Sequence, residues 1–258
     1  MKKLEKDNYD LYGNKLYIFT DNINGLNLKK IGEGTEGKIY ILDKKHLIKI
    51  YRPNLLEEQE DIYNEYRIEE IAKRRNLVKN THLVYGPVFI NGEFSGALTH
   101  FHRYSPNLDI LDYIPSKEYK INKFLEINEN LHELEKNGIY YVDLTPKNVL
   151  LPKLKKIRII DTDGKSTKLE DYDKDYYRNK MYENLYLLIL EKLFYFDIES
   201  YEDEDHLDED YLEELFQNTK INPDILSEIR HGRFNYELMK QFLIQLKEEK
   251  KLELKMAQ

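Results

Sequence analysis

The 258-residue chain contains no cysteine and no tryptophan. Without cysteine there is no disulfide framework, no cysteine nucleophile and no thiolate-ligated metal. No stretch approaches the roughly 20 consecutive apolar residues that a membrane span needs. Met1-Lys2-Lys3-Leu4 runs into charged residues rather than into the apolar core of a signal peptide, so a cytoplasmic protein with no membrane span is expected. Positive charge is in deficit, with 40 Lys+Arg against 48 Asp+Glu and a net charge of -8. Because non-specific affinity for nucleic acid comes mainly from cations that neutralise phosphates, that balance argues against a nucleic-acid partner, although a local basic groove stays compatible with it. What remains is ordinary for a folded protein, with 41% hydrophobic residues for an interior and 34% charged residues for a solvated surface. The 22 tyrosines are spread along the chain, so a single tyrosine is read as packing.

Patterning divides the chain in two. Lys15–Thr20 reads as a strand followed by the polar turn Asp21–Gly25, and Lys38–Leu42 and His46–Tyr51 read as strands about the turn Asp43–Lys45. Leu55 to about Asn76 shifts to helical spacing through Ile62, Tyr66, Ile68 and Ile71. Strands at His82–Ile90 and Phe94–Phe101 are joined by Asn91-Gly92, a hairpin signal. After Pro106 helices dominate. Lys120–Asn137 ends at Gly138, a natural helix stop, and Met181–Phe196, Asp208–Phe216, Pro223–Ile229 and Asn235–Lys250 follow. Short β-rich pieces at Ile139–Val142, Val149–Leu151 and Lys156–Ile160 lie between them. Strands with one helix, then helices with short strands, predict an α+β, two-lobed arrangement. The acidic run Glu199–Glu214 reads as a solvated loop and helix start.

Four segments carry chemistry. Gly32-Glu33-Gly34-Thr35-Glu36-Gly37 matches G-x-G-x-x-G. A dinucleotide fingerprint needs a helix after the last glycine, but Ile39–Leu42 is strand-like. A Walker A loop needs Ser or Thr where Ile39 stands. A glycine-rich turn between antiparallel strands, covering phosphates, fits, and so does a plain flexible hairpin. In the next strand Lys49 stands among Leu47, Ile48 and Ile50, either snorkelling at an edge or buried against a counter-charge, for which Glu65 and then Glu69 on the following helix are the candidates. Asp143 and Asn148 occupy a loop in which Pro146 prevents a simple helix; an Asp there can accept a hydroxyl proton and an Asn oxygen can ligate Mg2+. Asp161 closes an apolar strand in Ile159-Ile160-Asp161-Thr162-Asp163-Gly164, either as a metal ligand or, with Asp163, as ordinary turn chemistry.

In this order these segments resemble the protein-kinase family, from about Ile31 to about Leu169, with a weaker continuation through the helical end. The resemblance implies a divergent kinase-like domain over residues 1–258, with an antiparallel sheet lobe carrying one helix at 1–101 and a mainly helical lobe at 102–258. It implies an Mg2+/ATP-dependent phosphotransferase acting on a hydroxyl acceptor, with protein Ser/Thr as the leading class. A small-molecule kinase and a nucleotide-binding regulatory module are the alternatives, and transfer of the nucleotide part to a protein is a further one. Gly32, Gly34 and Gly37 would let the backbone approach the phosphates, and Lys49, paired with Glu65, would hold them. Asp143 would be the base, Asn148 and Asp161 the Mg2+ ligands, Thr99 the guard of the adenine pocket, and the backbone at His100 to His102 its reader. His100 and His102 are also imidazoles close in sequence, but no third metal ligand stands near them in the chain.

The pattern departs from the family in places. Tyr141-Val142-Asp143 stands where His-Arg-Asp is usual, which removes the cation that would pair with a phosphorylated activation segment. Thr162-Asp163 replaces Phe-Gly after the metal-binding Asp. Fewer than twenty residues separate Asp163 from Met181, with no Ala-Pro-Glu, which is short for a peptide platform.

Overall fold

The structure, a computed structural model, describes residues 9–19, 28–103, 105–169, 173–196, 216–217 and 219–256. The expected turn Asp21–Gly25, the acidic run and all but the last residue of the expected helix Asp208–Phe216 lie outside them. The architecture is mixed α+β, with an antiparallel-rich N-terminal sheet and a helical C-terminal part. Two units divide the chain: Met1–Ser105 with Arg158–Thr167, and Pro106–Ile157 with Lys168–Gln258. The division therefore falls at 105/106 rather than 101/102, and the first unit takes back one later segment. Hydrogen bonding explains that return. Ile159 bridges Thr81 in parallel, the His82 N–H donates to the Ile159 carbonyl at 2.9 Å, and Arg158 reaches Asn80 Oδ1 at 2.7 Å. Among the described residues no helix is long and apolar enough to cross a membrane.

The first unit is built on a seven-stranded sheet. Its strands are β1 (Tyr9–Tyr12), β2 (Lys15–Ile18), β3 (Lys29–Glu33), β4 (Gly37–Ile41), β5 (His46–Tyr51), β6 (Gly86–Ile90) and β7 (Glu93–His100), in the spatial order β1-β2-β6-β7-β5-β4-β3. All neighbours are antiparallel except β2 and β6. The β6–β7 hairpin turns at Asn91 and Gly92, both at positive φ (50° and 86°), as a twisted two-residue hairpin turn requires. Strand alternation places Ile48 and Ile50 of β5 on one face, against Leu16, Ile18, Val88 and Leu98, and Lys49 and Tyr51 on the other. Each large aliphatic buried there contributes about 1.5–3 kcal/mol. Where one helix was expected there are two, α1 (Pro53–Glu58) and α2 (Glu65–Lys73), because Pro53 starts a first short helix and Asn64 caps the second by accepting from the Arg67 N–H at 2.8 Å.

In the second unit α3 (Lys117–Lys136) packs against α4 (Lys174–Phe194), and the chain continues through α5 (Pro223–Arg230) and α6 (Tyr236–Met256), which also packs on α3. Ile121, Phe124, Ile127, Leu131 and Leu134 of α3 are buried, as its periodicity predicts, and Gly138 follows the helix at φ 67°. Helix α4 begins seven positions before Met181, because Asp173 caps it by accepting from the Tyr176 N–H at 3.1 Å. Apart from Tyr176 and Tyr177 its first two turns are polar, and they carry no apolar periodicity. A short strand β8 (Ile139–Tyr141), a 3₁₀ turn at Pro146–Asn148 and β9 (Val149–Leu150) frame the Asp143 loop.

Candidate functional site

Lys49 is the centre of a charge cluster in the first unit. Its ammonium donates to Glu36 Oε2 at 2.6 Å, Asp161 Oδ1 at 2.8 Å and Asp163 Oδ1 at 3.1 Å. Glu36 comes from the turn between β3 and β4, and the aspartates come from the segment that follows Ile159. The β4–β5 register explains the first contact, since Gly37 pairs with Tyr51 and Ile39 with Lys49, so the residue before Gly37 stands beside the lysine's strand. Tyr51 donates to Asp163 Oδ2, and Tyr63 donates to Glu36 Oε1 at 2.7 Å. The carboxylates of Glu36, Asp161 and Asp163 each present an oxygen within 4.8 Å of the others.

Local backbone holds these groups. Asp161 adopts φ +55°, a left-handed conformation that Asp tolerates better than most residues, and such conformations recur at functional sites. Thr162 is fully buried and donates to the His82 carbonyl at 3.1 Å, which pins the peptide between the two aspartates. Gly164 has φ +54°, and a Cβ there would lie 2.5 Å from Tyr63 Cε1. Glycine is thus needed for Tyr63 to sit where it supports Glu36. The hairpin glycines have different reasons. A Cβ on Gly37 would meet the Ile50 carbonyl oxygen at 2.0 Å, so strand packing demands that glycine, whereas a Cβ on Gly34 would have nothing within 4 Å and one on Gly32 would reach only Ile39 at 3.7 Å. The turn is tied down by Gly34 N–H to the Gly37 carbonyl at 2.9 Å and by Arg52 Nη2 to the Gly34 carbonyl at 3.0 Å.

The electrostatics follow from burial and proximity. Burial alone would push the Lys49 ammonium down, but the charges of Asp163, Asp161 and Glu36 outweigh it and hold the group well above its usual value. Asp161 moves the other way from most paired carboxylates: burial and the Asp163 charge outweigh Lys49 and raise it to about 7. For Asp163 the opposing effect of burial is outweighed by Lys49 and by donation from Tyr51, which keep it below the usual range. Burial, together with its carboxylate partner, keeps each of Tyr51 and Tyr63 protonated and donating. Of the two aspartates, one thus stays an anion and the other takes a proton near neutrality, beside a fixed cation. An all-oxygen ligand set of this kind suits a hard cation such as Mg2+.

The second unit holds the other candidate residues. Asn148 Nδ2 donates to Asp143 Oδ2 at 2.9 Å and to the Asp143 carbonyl at 3.0 Å. The Thr145 N–H also donates to that carbonyl at 3.0 Å, and Pro146 opens the 3₁₀ turn that carries Asn148 back towards Asp143. Below the loop, Asn184 donates to the Val142 carbonyl at 2.6 Å and Tyr141 is fully buried. The bulky Tyr at this position is therefore a packing residue of the second unit.

No protein-family model and no curated protein matches this sequence. The structure brings Lys49 and Asp161 together, and Asp143 and Asn148 together. It does not pair Lys49 with Glu65, which is a correction to the sequence reading. Glu65 opens α2 and bonds Lys15 of β2 at 2.6 Å, and Glu69, one turn on, bonds the same lysine. Glu36 and the aspartates already satisfy the Lys49 ammonium. Thr99 lies on β7 opposite Leu47, and His100 lies opposite His46. His100 and His102 do have a third imidazole beside them, His82, contrary to the expectation from the chain. The sequence reading missed Glu36, Tyr51 and Tyr63. Glu36 was signalled only by being an acid inside the glycine motif, and the two tyrosines carried no signal against the tyrosine-rich background.

Proposed function

We propose that the protein is an Mg2+/ATP-dependent phosphotransferase of protein kinase-like fold. The observation that carries this reading is the contact of a buried strand lysine, Lys49, with Asp161, 112 residues later, beside a glycine-rich hairpin. A lysine and a metal-binding aspartate brought to one place from such separation are what the kinase resemblance requires of its nucleotide-binding half. Gly32 and Gly34, which packing does not demand, suit close approach of phosphates to the hairpin backbone. In this reading Gly32, Gly34, Gly37 and Lys49 hold the ATP phosphates, and Thr99 and the backbone at His100 to His102 line the adenine site. Asp161 is the Mg2+ ligand of the first unit, with Asp163 and Glu36 as additional oxygen donors, and Asn148 of the second unit is the further ligand that the resemblance implies. Asp143 accepts the proton of the acceptor hydroxyl while its oxygen bonds to the γ-phosphorus; the bond from that phosphorus to the bridging oxygen breaks, and ADP leaves with the electron pair.

Protein Ser/Thr is the acceptor class that the resemblance favours. One observation favours a small-molecule hydroxyl as a second reading: α4 starts at Lys174, so only positions 164–173 separate it from Asp163. Little chain is left there on which a peptide could lie.

The test is incubation with γ-labelled ATP, Mg2+ and cell lysate, followed by separation of labelled proteins from labelled metabolites. Label is expected in one pool, with transfer falling about 10²–10⁴-fold in Asp143→Asn and Mg2+-dependent transfer lost in Asp161→Asn. Full activity in either variant overturns the assigned roles, and tight nucleotide binding without transfer to either pool identifies a regulatory module instead.

A further inference from the structure

Three of the chain's seven histidines gather in the first unit, as a group separate from the carboxylate cluster described above. His100 ends β7, His102 follows two positions later, and His82 comes from the segment that precedes β6. The His82 ring lies 4.2 Å from that of His100 and 4.3 Å from that of His102, centroid to centroid. His102 Nε2 and His82 Nδ1 are 2.7 Å apart, and one ring nitrogen from each of the three lies within 4.8 Å of the others. All three side chains are half-buried.

We propose that His82, His100 and His102 form a binding site for a borderline divalent transition cation of the Zn2+ type, with three imidazole ligands and an open fourth position. Donor chemistry selects the ion. Imidazole suits Zn2+ and its neighbours, whereas the all-oxygen set of Glu36, Asp161 and Asp163 suits Mg2+, so the unit would carry two sites that discriminate by ligand softness. Geometry is close to what is needed. Tetrahedral Zn–N bonds of about 2.0–2.1 Å put ligand nitrogens roughly 3.3 Å apart, so the His82–His102 pair opens by less than about 1 Å and exchanges a hydrogen bond for two metal bonds.

The surroundings fix the ligands as second-sphere partners do in metal sites. Tyr85 OH lies 3.2 Å from His100 Nδ1, leaving the other ring nitrogen for the ion. The His82 main chain is anchored on both sides, its N–H donating to Ile159 and its carbonyl accepting from Thr162. Burial, reinforced by the neighbouring imidazoles and Arg158, lowers His82 to about 3; burial, His102, Arg75, His46 and Arg158 lower His100 to about 4; burial and Arg158 lower His102. The rings are therefore neutral near pH 7, the form that ligates, and no proton must be displaced. The guanidiniums of Arg75 and Arg158 oppose a second cation, and a purely packed stack of Tyr85 and the three imidazoles is the competing outcome.

The experiment uses the whole chain, stripped with a chelator and titrated with Zn2+ by calorimetry while the imidazole nitrogens are followed by NMR. One Zn2+ per chain is expected, with three of the histidine rings shifting together and binding unaffected by a large excess of Mg2+. His82→Ala, His100→Ala and His102→Ala should each weaken binding more than about tenfold, while His231→Ala, at an exposed histidine of the second unit, leaves it unchanged. Shifts confined to other histidines, affinity unaltered in all three variants, or Zn2+ bound no more tightly than Mg2+ would overturn the proposal. Should an alanine variant fail to fold, the ring shifts in the unsubstituted protein decide the matter alone.

Discussion

Replacing Lys49 with methionine keeps the volume of its stem and removes one charge, and the structure makes the consequence calculable in sign and size. The side chain is 7% exposed and its ammonium touches three carboxylates, of which Asp163 is 3% exposed. Breaking a buried pair by removing one partner costs about 3–5 kcal/mol, because the other charge is left uncompensated. A proton can relieve part of that cost. Asp161, already raised to about 7 with Lys49 present, rises further without it, and Asp163 loses the main interaction that keeps it low. In Lys49→Met the folded state therefore binds more protons than the unfolded chain from about pH 4 to beyond pH 7. A raised folded-state pKa contributes stability that is complete below the unfolded value and lost as pH rises through the folded one, at up to about 1.4 kcal/mol per pH unit for each proton.

Urea unfolding followed by tyrosine emission and circular dichroism near pH 5.5 and near pH 8 checks this. The variant should be less stable than the parent at both, by about 3–5 kcal/mol at the higher pH and by at least about 1 kcal/mol less than that at the lower one. Mg2+ should then replace the missing cation. At a hundredfold excess over its dissociation constant it restores about 2.7 kcal/mol, and it should stabilise the variant more than the parent. A variant within about 0.5 kcal/mol of the parent at both pH values, or one indifferent to Mg2+, would show that these carboxylates do not depend on Lys49 and are not a cation site.

The remaining predictions concern what supports the cluster. Gly164→Ala meets both a positive φ and Tyr63 at 2.5 Å, whereas Gly13→Ala meets a positive φ with nothing within 4 Å; losses of about 2–4 and about 1 kcal/mol in denaturant unfolding are expected, and equal losses would remove the Tyr63 contact from the explanation. Glu36→Gln should cost about 1.5–3 kcal/mol and weaken Mg2+ binding measured by calorimetry. Glu65→Gln should cost under about 1 kcal/mol and leave Mg2+ affinity alone, because Lys15 keeps Glu69. Were Glu65→Gln the more damaging to Mg2+-nucleotide affinity, Glu65 rather than Glu36 would be the functional partner of Lys49.

Much of the local structure was legible because its causes are local. Asn91-Gly92 demands positive φ at two successive residues, and the hairpin turns there. The spacing Ile121, Phe124, Ile127, Leu131 and Leu134 has one helical solution, and α3 buries all five. What escaped is not encoded by periodicity. Alternation tells which residues of β2 face inward but not that its neighbour is the parallel strand β6. The first turns of α4 carry no apolar periodicity and show only a capping Asp173. The segment Arg158–Thr167 joins the first unit through main-chain bonds to Thr81 and His82, which leave no trace in side-chain pattern.

The site shows the same limit in sharper form. Lys49 was recognisable as a buried lysine in need of a counter-charge, and the nearest helical acid, Glu65, was the natural candidate. Strand register decides otherwise. With Gly37 opposite Tyr51, the turn acid Glu36 is brought to the lysine by main-chain pairing that exists whenever the hairpin forms, while Glu65, in the first turn of α2, has Lys15 as its partner. A counter-charge carried on the same hairpin as the lysine depends on fewer independent placements than one carried on a separate helix, so Glu36 stays with Lys49 as long as β4 and β5 are paired. The adjoining β3–β4 hairpin, whose turn carries Glu36, contributes Gly32 and Gly34, at positions where packing does not require glycine. A ligand whose phosphates approach those two residues competes with Glu36 for the ammonium. Nucleotide binding should therefore free Glu36 from Lys49, in which case Glu36→Gln strengthens the binding of nucleotide alone even as it weakens that of Mg2+; a loss of affinity for nucleotide alone would mean that Glu36 supports the nucleotide directly rather than competing with it for Lys49.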